Sequence, residues 1–497
     1  MKISYSLRKS IESILKREKG AIRNVFGTAV SVGLCFPNTY RLGSSNLGFH
    51  FLYDRINKTD EFLAERFFAD IMPPFSMESQ KPLNQFDIIM FSVPYELDFA
   101  EVVRFLKEAG IPVFRKDRTI SDPLVVAGGQ AITMNPVALF DVLDISVLGD
   151  GEPTLGLLLE KYLESNGDKT ELVSSLKNSP GFFILADEPG QIMKRAVCRN
   201  LDEHPLSSVY LTPDAEFANS CLVEISRGCP HGCRFCYVGH NQNPFRKRSL
   251  ESIQKIVKQK MSLTKRFGFI SSDVAAHPEI RELCNWCMQQ GLNVSFSSLR
   301  AEEIPSALFT LLRKSGQNTI TLAPETGSDS LRDAIKKRLT NEKIISCVEE
   351  ALSHGFYNIK LYFMLGLPGE DQRDIEASVG LIKIIREKLV SQGRKRKKIG
   401  ELIVSVSFFV PKPKTPLGNS PFLNPPELKK RQKYFMEALG GLAHVRFLPA
   451  NPFEAAAQAY LSGAGRHAGR FLLEKINKRL SWKTALRKQG RRGKGEV

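Results

Sequence analysis

Short apolar runs and amphipathic helical stretches alternate in two successive series along this chain, and that rhythm restricts the fold more than any other feature. In the first third, apolar runs at 29–36, 87–93, 112–114, 124–127 and 145–148 have the length of buried strands. Helical patterns such as 48–56 and 98–109 separate them, with Gly, Pro and Asn at the junctions. This order predicts an α/β fold that begins with a Rossmann-like, doubly wound parallel sheet, whose ligand site lies beyond the carboxyl ends of the strands. A second series predicts strands at 221–226, 267–270, 293–297, 319–322, 359–364 and 402–408. Helices are expected between them at 250–263, 279–290, 305–314, 342–354 and 373–388. Six such units predict a partial (β/α)6 barrel of TIM type, with chemistry at the carboxyl strand ends, where the βα loops converge. The expected domains are 1–165 for the first sheet, 166–214 for a helical and hairpin connector, 215–430 for the barrel, and 431–497 for a basic helical C-terminal tail.

No stretch approaches the run of about 20 apolar residues that a membrane helix needs. Residues 1–20 lack the apolar core of a secretory signal. A cytoplasmic protein without membrane contact is therefore expected. In that compartment nine cysteines are not a disulfide framework. Six are scattered, and three fall within eight residues, Cys229-Pro230-His231-Gly232-Cys233-Arg234-Phe235-Cys236. Three thiolates suit an iron–sulfur cluster, because soft sulfur matches that metal. The x₃ and x₂ spacings let one loop wrap three corners of a cube, with Gly228, Pro230 and Gly232 making the turns. A fourth iron would keep an open position. Structural zinc would normally add a fourth Cys or His, and His231 is at hand. Cys284 and Cys287, one helical turn apart, read as core thiols.

The Cys-x₃-Cys-x₂-Cys loop, with Phe235 before the last cysteine and a strand before the loop, resembles the signature of the radical-SAM superfamily over roughly residues 221–416. The resemblance implies a [4Fe–4S] cluster on Cys229, Cys233 and Cys236 that chelates S-adenosylmethionine and cleaves it reductively to a 5′-deoxyadenosyl radical. It also implies a one-electron donor such as flavodoxin or ferredoxin. Ser271-Ser272-Asp273 stands where the superfamily has Gly-Gly-Glu at the methionyl amino group, though a loop N-cap would look the same. Ser297 and Arg300 follow the third strand, with Arg300 set either to pair with the methionyl carboxylate or to form a surface ion pair. Glu325 ends the fourth strand, for ribose, substrate or a cap. Gly366 and Gly369 resemble the adenine-contacting loop, where glycine lets backbone approach a flat ligand.

In the first domain Asn38, Tyr40 and Gly43 have the skeleton of the cobalamin-binding Asp-x-His-x-x-Gly, and Ser92 and the pair Gly128-Gly129 follow in the expected order. The whole chain resembles a family that fuses a cobalamin-binding-like domain to a radical-SAM core. With Tyr40 in the His position, no imidazole can ligate cobalt. Either cobalamin is held without that ligand, or the domain takes another ligand. The formal charge of +17 concentrates in residues 394–398 and in 466–497, where eleven Lys or Arg face two Glu. The expected role is solubility or contact with a polyanion. The leading expectation is a radical-SAM enzyme, cobalamin-dependent methyl transfer to an unactivated carbon or phosphorus included. An RNA-modifying radical-SAM enzyme without cobalamin comes second. An iron–sulfur scaffold or redox sensor comes third, and the glycines and carboxylates at the other strand ends count against it. No catalytic side chain beyond the cofactor ligands, and no substrate, is assigned.

Overall fold

The computed structural model describes residues 2–22, 30–184, 194–296, 299–302 and 304–492. They form two compact units, Met1–Leu222 with Tyr460–Val497, and Val223–Ala459. In the first, β1 (Val30–Phe36), β2 (Phe62–Phe68), β3 (Ile88–Ser92), β4 (Leu124–Gly128), β5 (Ile145–Val147) and β6 (Phe182–Phe183) make one sheet in the order β2-β1-β3-β4-β5-β6. β1 to β5 run parallel, and β6 is antiparallel to β5. The chain steps from β1 to β2 on one side and then crosses to β3 on the other. The topological switch point therefore lies at the carboxyl ends of β1 and β3. The Rossmann-like expectation holds, with Ala29 outside the described residues.

Three details differ from the sequence reading. β2 has no counterpart among the expected strands, because Glu65 and Arg66 interrupt its apolar pattern. Both are buried. Arg66 is neutralised in place: its guanidinium donates to Glu18 Oε1 and Oε2 at 2.8 Å each and to Glu78 Oε1 at 2.5 Å. The rings of Tyr53 and Tyr210 lie 4.9 and 4.1 Å from it. The strand expected at 112–114 is a loop, since Pro112 has no N–H for a ladder and Arg118 Nη1 takes the carbonyls of Pro112 and Val113 at 3.1 and 3.3 Å. The expected connector belongs to the first unit, supplying the helix Lys169–Leu176 and strand β6.

The largest correction concerns the C-terminus. From Tyr460 the chain returns to the first unit as the helices Ala468–Asn477 and Trp482–Arg492. Ala468, Phe471 and Leu472, spaced as one helical face, are buried with Phe99, Val102 and Val103 of the helix Phe99–Glu108. Asn135 Nδ2 donates to the carbonyls of Leu461 and Ala464 at 2.9 Å, and Ser462 Oγ to Glu96 Oε1 at 2.7 Å. The high charge count hid this amphipathic period. These residues are a docked cap rather than a tail.

The second unit begins with β7 (Cys221–Glu224) and a two-stranded neck, β8 (Ser226–Arg227) paired antiparallel with β9 (Arg246–Lys247). β10 (Arg266–Ile270) and β11 (Asn293–Phe296) join β7 in one sheet. β12 (Thr319–Glu325), β13 (Asn358–Leu365), β14 (Leu402–Phe408) and β15 (Val445–Leu448) form a second, all-parallel sheet. All six expected strands are present, alternating with helices as a partial barrel does, and β15 adds a seventh beyond the expected limit at 430. The basic block at 394–398 ends the helix Gln372–Lys395, where cations suit the helix dipole. Arg396 donates to the carbonyls of Leu352 and Phe356, and Lys398 lies 3.9 Å from the ring of Tyr357. Part of that charge therefore fastens the helix end.

Candidate functional site

Within the second unit the β8–β9 neck brings together the two ends of the cysteine loop, residues 228–245. Gly228 adopts φ +80°, and a Cβ there would meet the Gln242 carbonyl oxygen at 2.4 Å, so only glycine allows the chain to cross itself. Inside the loop, Cys236 N donates to the Cys233 carbonyl at 3.0 Å, and the His240 ring sits 3.0 Å from the same oxygen. Arg234 is pinned on both sides: its N–H donates to the Ile335 carbonyl at 2.9 Å, and its carbonyl accepts from Leu417 N at 3.1 Å. Phe235 packs against the buried group of Leu331, Ile335, Leu367, Phe409 and Leu417. An aromatic residue before the last cysteine thus anchors the loop to the segments that follow β12, β13 and β14. Cys229 and Cys233 are buried and Cys236 is half-buried. Burial pushes the thiols of Cys229 and Cys236 up, and a metal bound there would hold them as thiolates.

The other expected strand ends meet this loop. Asp273, after β10, lies with Oδ2 2.6 Å from His231 Nε2 and 4.0 Å from Arg300 Nε. Arg300, after β11, donates from Nη1 to Cys233 Sγ at 3.6 Å and pairs closely with Glu302. Burial opposes the charge of Arg300, but Glu302 and the Cys233 sulfur outweigh it and hold its pKa up. Cys loop, Asp273 and Arg300 therefore form one polar chain. Glu325 ends β12 just after a register shift, with φ +66°, a region that non-glycine residues rarely enter and that often marks functional sites. Its carboxylate pairs with the buried Lys337 at 2.6 Å.

The remaining positions divide. Ser271 is internal, its Oγ 2.6 Å from Ser226 Oγ and accepting from Asp273 N at 3.1 Å, while Ser272 is exposed. Ser297, with Ser298, lies outside the described residues. Gly366 has φ +84°, but a Cβ there would meet Leu428 Cδ2 at 2.8 Å, so it serves packing, whereas Gly369, with φ +85°, faces open space. Glu370 fixes this turn: Oε2 accepts from Gly366 N at 2.7 Å and from Arg431 Nη1 at 2.6 Å. Lys337 and Arg431 were not legible in the sequence, since both are brought in from outside the strand-end motifs. Cys284 and Cys287 are buried on the helix Ile280–Gln289, and burial pushes each thiol up to about 12.

In the first unit a cavity of about 330 Å³ opens at the switch point, lined by Asn38, Asp70, Leu97, Asp98, Lys475 and Trp482 among others. Asn38 Nδ2 donates to Asp98 Oδ1 at 2.8 Å, and burial raises the Asp98 carboxyl to about 7. Of the expected loop residues only Asn38 faces this space. Tyr40 is corrected: it is buried with its hydroxyl donated to Glu18 at 2.6 Å and its ring 5.0 Å from Phe68, so it points into the core. Gly43 makes room for Phe68, Gly128 lies under Val147, and Gly129, at φ +108°, passes the Val93 backbone. These glycines serve close packing, not an open crevice. Ser92 is buried at the end of β3, level with Gly128.

The donor set fits a cubane cluster. Three thiols share one closed loop, and His231, which a zinc site would recruit, is engaged by Asp273. Among the described residues no three His, Cys, Asp or Glu side chains converge as on a single ion. Thiolates on separate corners of a cube have no need to.

Residues 48–184 match the family of N-terminal domains of radical SAM proteins, and residues 223–382 match the radical SAM superfamily. An uncharacterized protein of Methanocaldococcus jannaschii is 27% identical over 411 residues, covering 82% of this chain and 83% of its own. An uncharacterized methyltransferase of Pyrococcus horikoshii is 25% identical over 274 residues, 52% of this chain and 57% of its own. The radical S-adenosylmethionine methyltransferase TsrM of Kitasatospora setae, solved with cobalamin and a [4Fe–4S] cluster, shares the fold with a TM-score of 0.53 at 13% identity, over 78% of this chain and 74% of its own. With the cysteine loop, the strand-end carboxylates and both domain matches in agreement, this chain belongs to the radical SAM superfamily and is an enzyme of it.

Proposed function

We propose that the protein is a cobalamin-dependent radical-SAM methyltransferase, with Cys229, Cys233 and Cys236 holding a [4Fe–4S] cluster and S-adenosylmethionine bound above it. The observation that carries the cofactor site is the polar chain from His231 through Asp273 and Arg300 to the Cys233 sulfur, which ties the cluster loop to two strand ends. Held by Cys229, Cys233 and Cys236, such a cluster would supply one-electron reduction of S-adenosylmethionine to methionine and a 5′-deoxyadenosyl radical, the electron coming from a donor of flavodoxin or ferredoxin type.

The chain's own residues then have separate tasks. Asp273 would accept from the methionyl ammonium, and Arg300, beside Asp273 and the Cys233 sulfur, would pair with the methionyl carboxylate. Glu325, turned by its backbone, faces the ribose or the substrate while Lys337 holds its charge. Phe235 and its apolar neighbours hold the loop and keep water from its base. Asp273→Asn and Glu325→Gln are expected to keep a full iron complement while weakening S-adenosylmethionine binding by about tenfold or more each, as loss of a charge-assisted hydrogen bond implies. Equilibrium binding, alongside 5′-deoxyadenosine formation under dithionite, measures both. Full cluster occupancy with no 5′-deoxyadenosine under several reductants would overturn the reading.

Methyl transfer is supported by the likeness to TsrM and to the Pyrococcus relative. The likeness to TsrM supports a corrinoid, and the switch-point cavity beside Asn38 is its candidate point of entry in the first unit, although the glycines around it are closed by packing; no imidazole is offered to cobalt, because Tyr40 is turned into the core. Hydroxocobalamin is therefore expected to bind without the spectrum of a histidine ligand. Leu97→Trp, at a half-buried position lining the cavity, should block binding while leaving iron untouched. Equilibrium dialysis with micromolar hydroxocobalamin decides it. No retention by folded wild type would leave a radical-SAM enzyme whose first unit takes another ligand.

A further inference from the structure

We propose that the helices Ala468–Asn477 and Trp482–Arg492 form a docking surface for the phosphodiester backbone of a structured RNA. The inference goes beyond the reaction at the cluster and stands on the first unit alone. Between 466 and 490 the sequence has eight Lys or Arg and one acid, Glu474. In the fold these cations are not on a loose end. The apolar face, with Ala468, Phe471, Leu472 and Ala485, is buried in the first unit's core, which fixes the opposite face. Arg466, Arg470, Lys478, Arg479, Lys483, Arg487 and Lys488 are exposed on these helices and the turns that flank them. Arg470, Arg479, Arg487 and Lys488 make no ion pair among the described residues, whereas Arg466 is shared with Asp141 at 3.5 Å and Lys478 with Glu474 at 2.7 Å. The cationic strip extends onto the neighbouring loop, since Arg466 and Arg115 lie over the same Phe140 ring, 3.9 and 5.5 Å from its centre.

A rigid surface of one sign costs self-repulsion, which an approaching polyanion relieves by releasing counterions. Four arginines among the exposed cations suit phosphate, because a guanidinium fork binds two oxygens at once. The partner is narrowed by what the face lacks. No large apolar side chain is exposed among residues 460–490. A membrane-lying helix needs an apolar face turned to lipid, and a protein interface needs an apolar centre. Both are spent here on the cap's own docking, and that leaves a phosphate backbone.

The test uses the full chain and a fluorescently labelled RNA stem–loop in anisotropy titrations at several salt concentrations. Wild type is expected to bind with affinity falling steeply in salt. The quadruple variant Arg470→Gln, Arg479→Gln, Arg487→Gln, Lys488→Gln should lose tenfold or more in affinity, and its log K against log salt slope should flatten by about 3, as four lost phosphate contacts require. Its thermal midpoint should match wild type, which shows that the cap still folds. Unchanged RNA affinity and slope in the folded variant would overturn the proposal. So would binding of anionic phospholipid vesicles or of an acidic flavodoxin through these residues with no binding of RNA.

Discussion

Alanine at Cys229, Cys233 or Cys236 is expected to remove the iron–sulfur cluster, whereas Cys284→Ala leaves it whole. After anaerobic reconstitution the wild type should carry about four irons per chain, on the general stoichiometry of thiolate-held cubanes. Each loop variant should fall close to zero, because two thiolates cannot hold a cube against loss of iron to solvent. The contrast with Cys284 has a physical basis. Cys284 is fully buried on the helix Ile280–Gln289 with Cys287 one turn away, outside the loop that brings three thiols together, so its loss takes no ligand from the cluster. The cluster cysteines lie instead in a loop whose polar contacts include the Arg300 guanidinium, 3.6 Å from the Cys233 sulfur. Iron and sulfide assays with the visible absorbance spectrum decide the matter. A triple variant that retained a full iron complement would refute the assignment.

Arg66→Met should be the most destabilising single change in the first unit, by about 3–5 kcal/mol, the cost of stranding a buried charge. The substituted chain would hold the buried Glu18 carboxylate and the half-buried Glu78 without a counter-charge. It would also lose the guanidinium between the rings of Tyr53 and Tyr210. Adding Glu18→Gln and Glu78→Gln should recover part of the loss, since neutral amides are cheaper to bury than unpaired carboxylates. Arg41→Met, which breaks an exposed pair with Glu216, should shift stability by under about 1 kcal/mol. Urea unfolding followed by circular dichroism gives both numbers. A loss below about 1 kcal/mol at Arg66 would mean that water reaches Glu18 and Glu78 in the folded state.

The sequence by itself determined the two β/α series, all six expected strands of the second unit and the cysteine loop. These follow from local causes: apolar runs of strand length, glycines where the chain crosses itself, and three soft ligands in eight residues. It also singled out Asp273, Arg300 and Glu325, because residues that end parallel strands are carried to one mouth whatever the details. Only the tertiary structure decided the rest. β2 was hidden by Glu65 and Arg66: Arg66 can be buried only because Glu18 and Glu78 arrive from elsewhere, and Glu65 because the N–H and hydroxyl of Ser79 reach its carboxylate. Tyr40 occupies the position of a ligand in the motif, yet its direction was set by Glu18 and Phe68, which no local pattern records. Lys337 and Arg431 reach their carboxylates through long-range packing. The C-terminal cap read as a solvated tail because charge count outweighed a short apolar period. It became a docked pair of helices when Phe99, Val102 and Val103 supplied the face that the period needed. Periodicity and ligand chemistry are encoded locally; which buried charge finds a partner, and which amphipathic face finds a core, is settled only when the chain closes on itself.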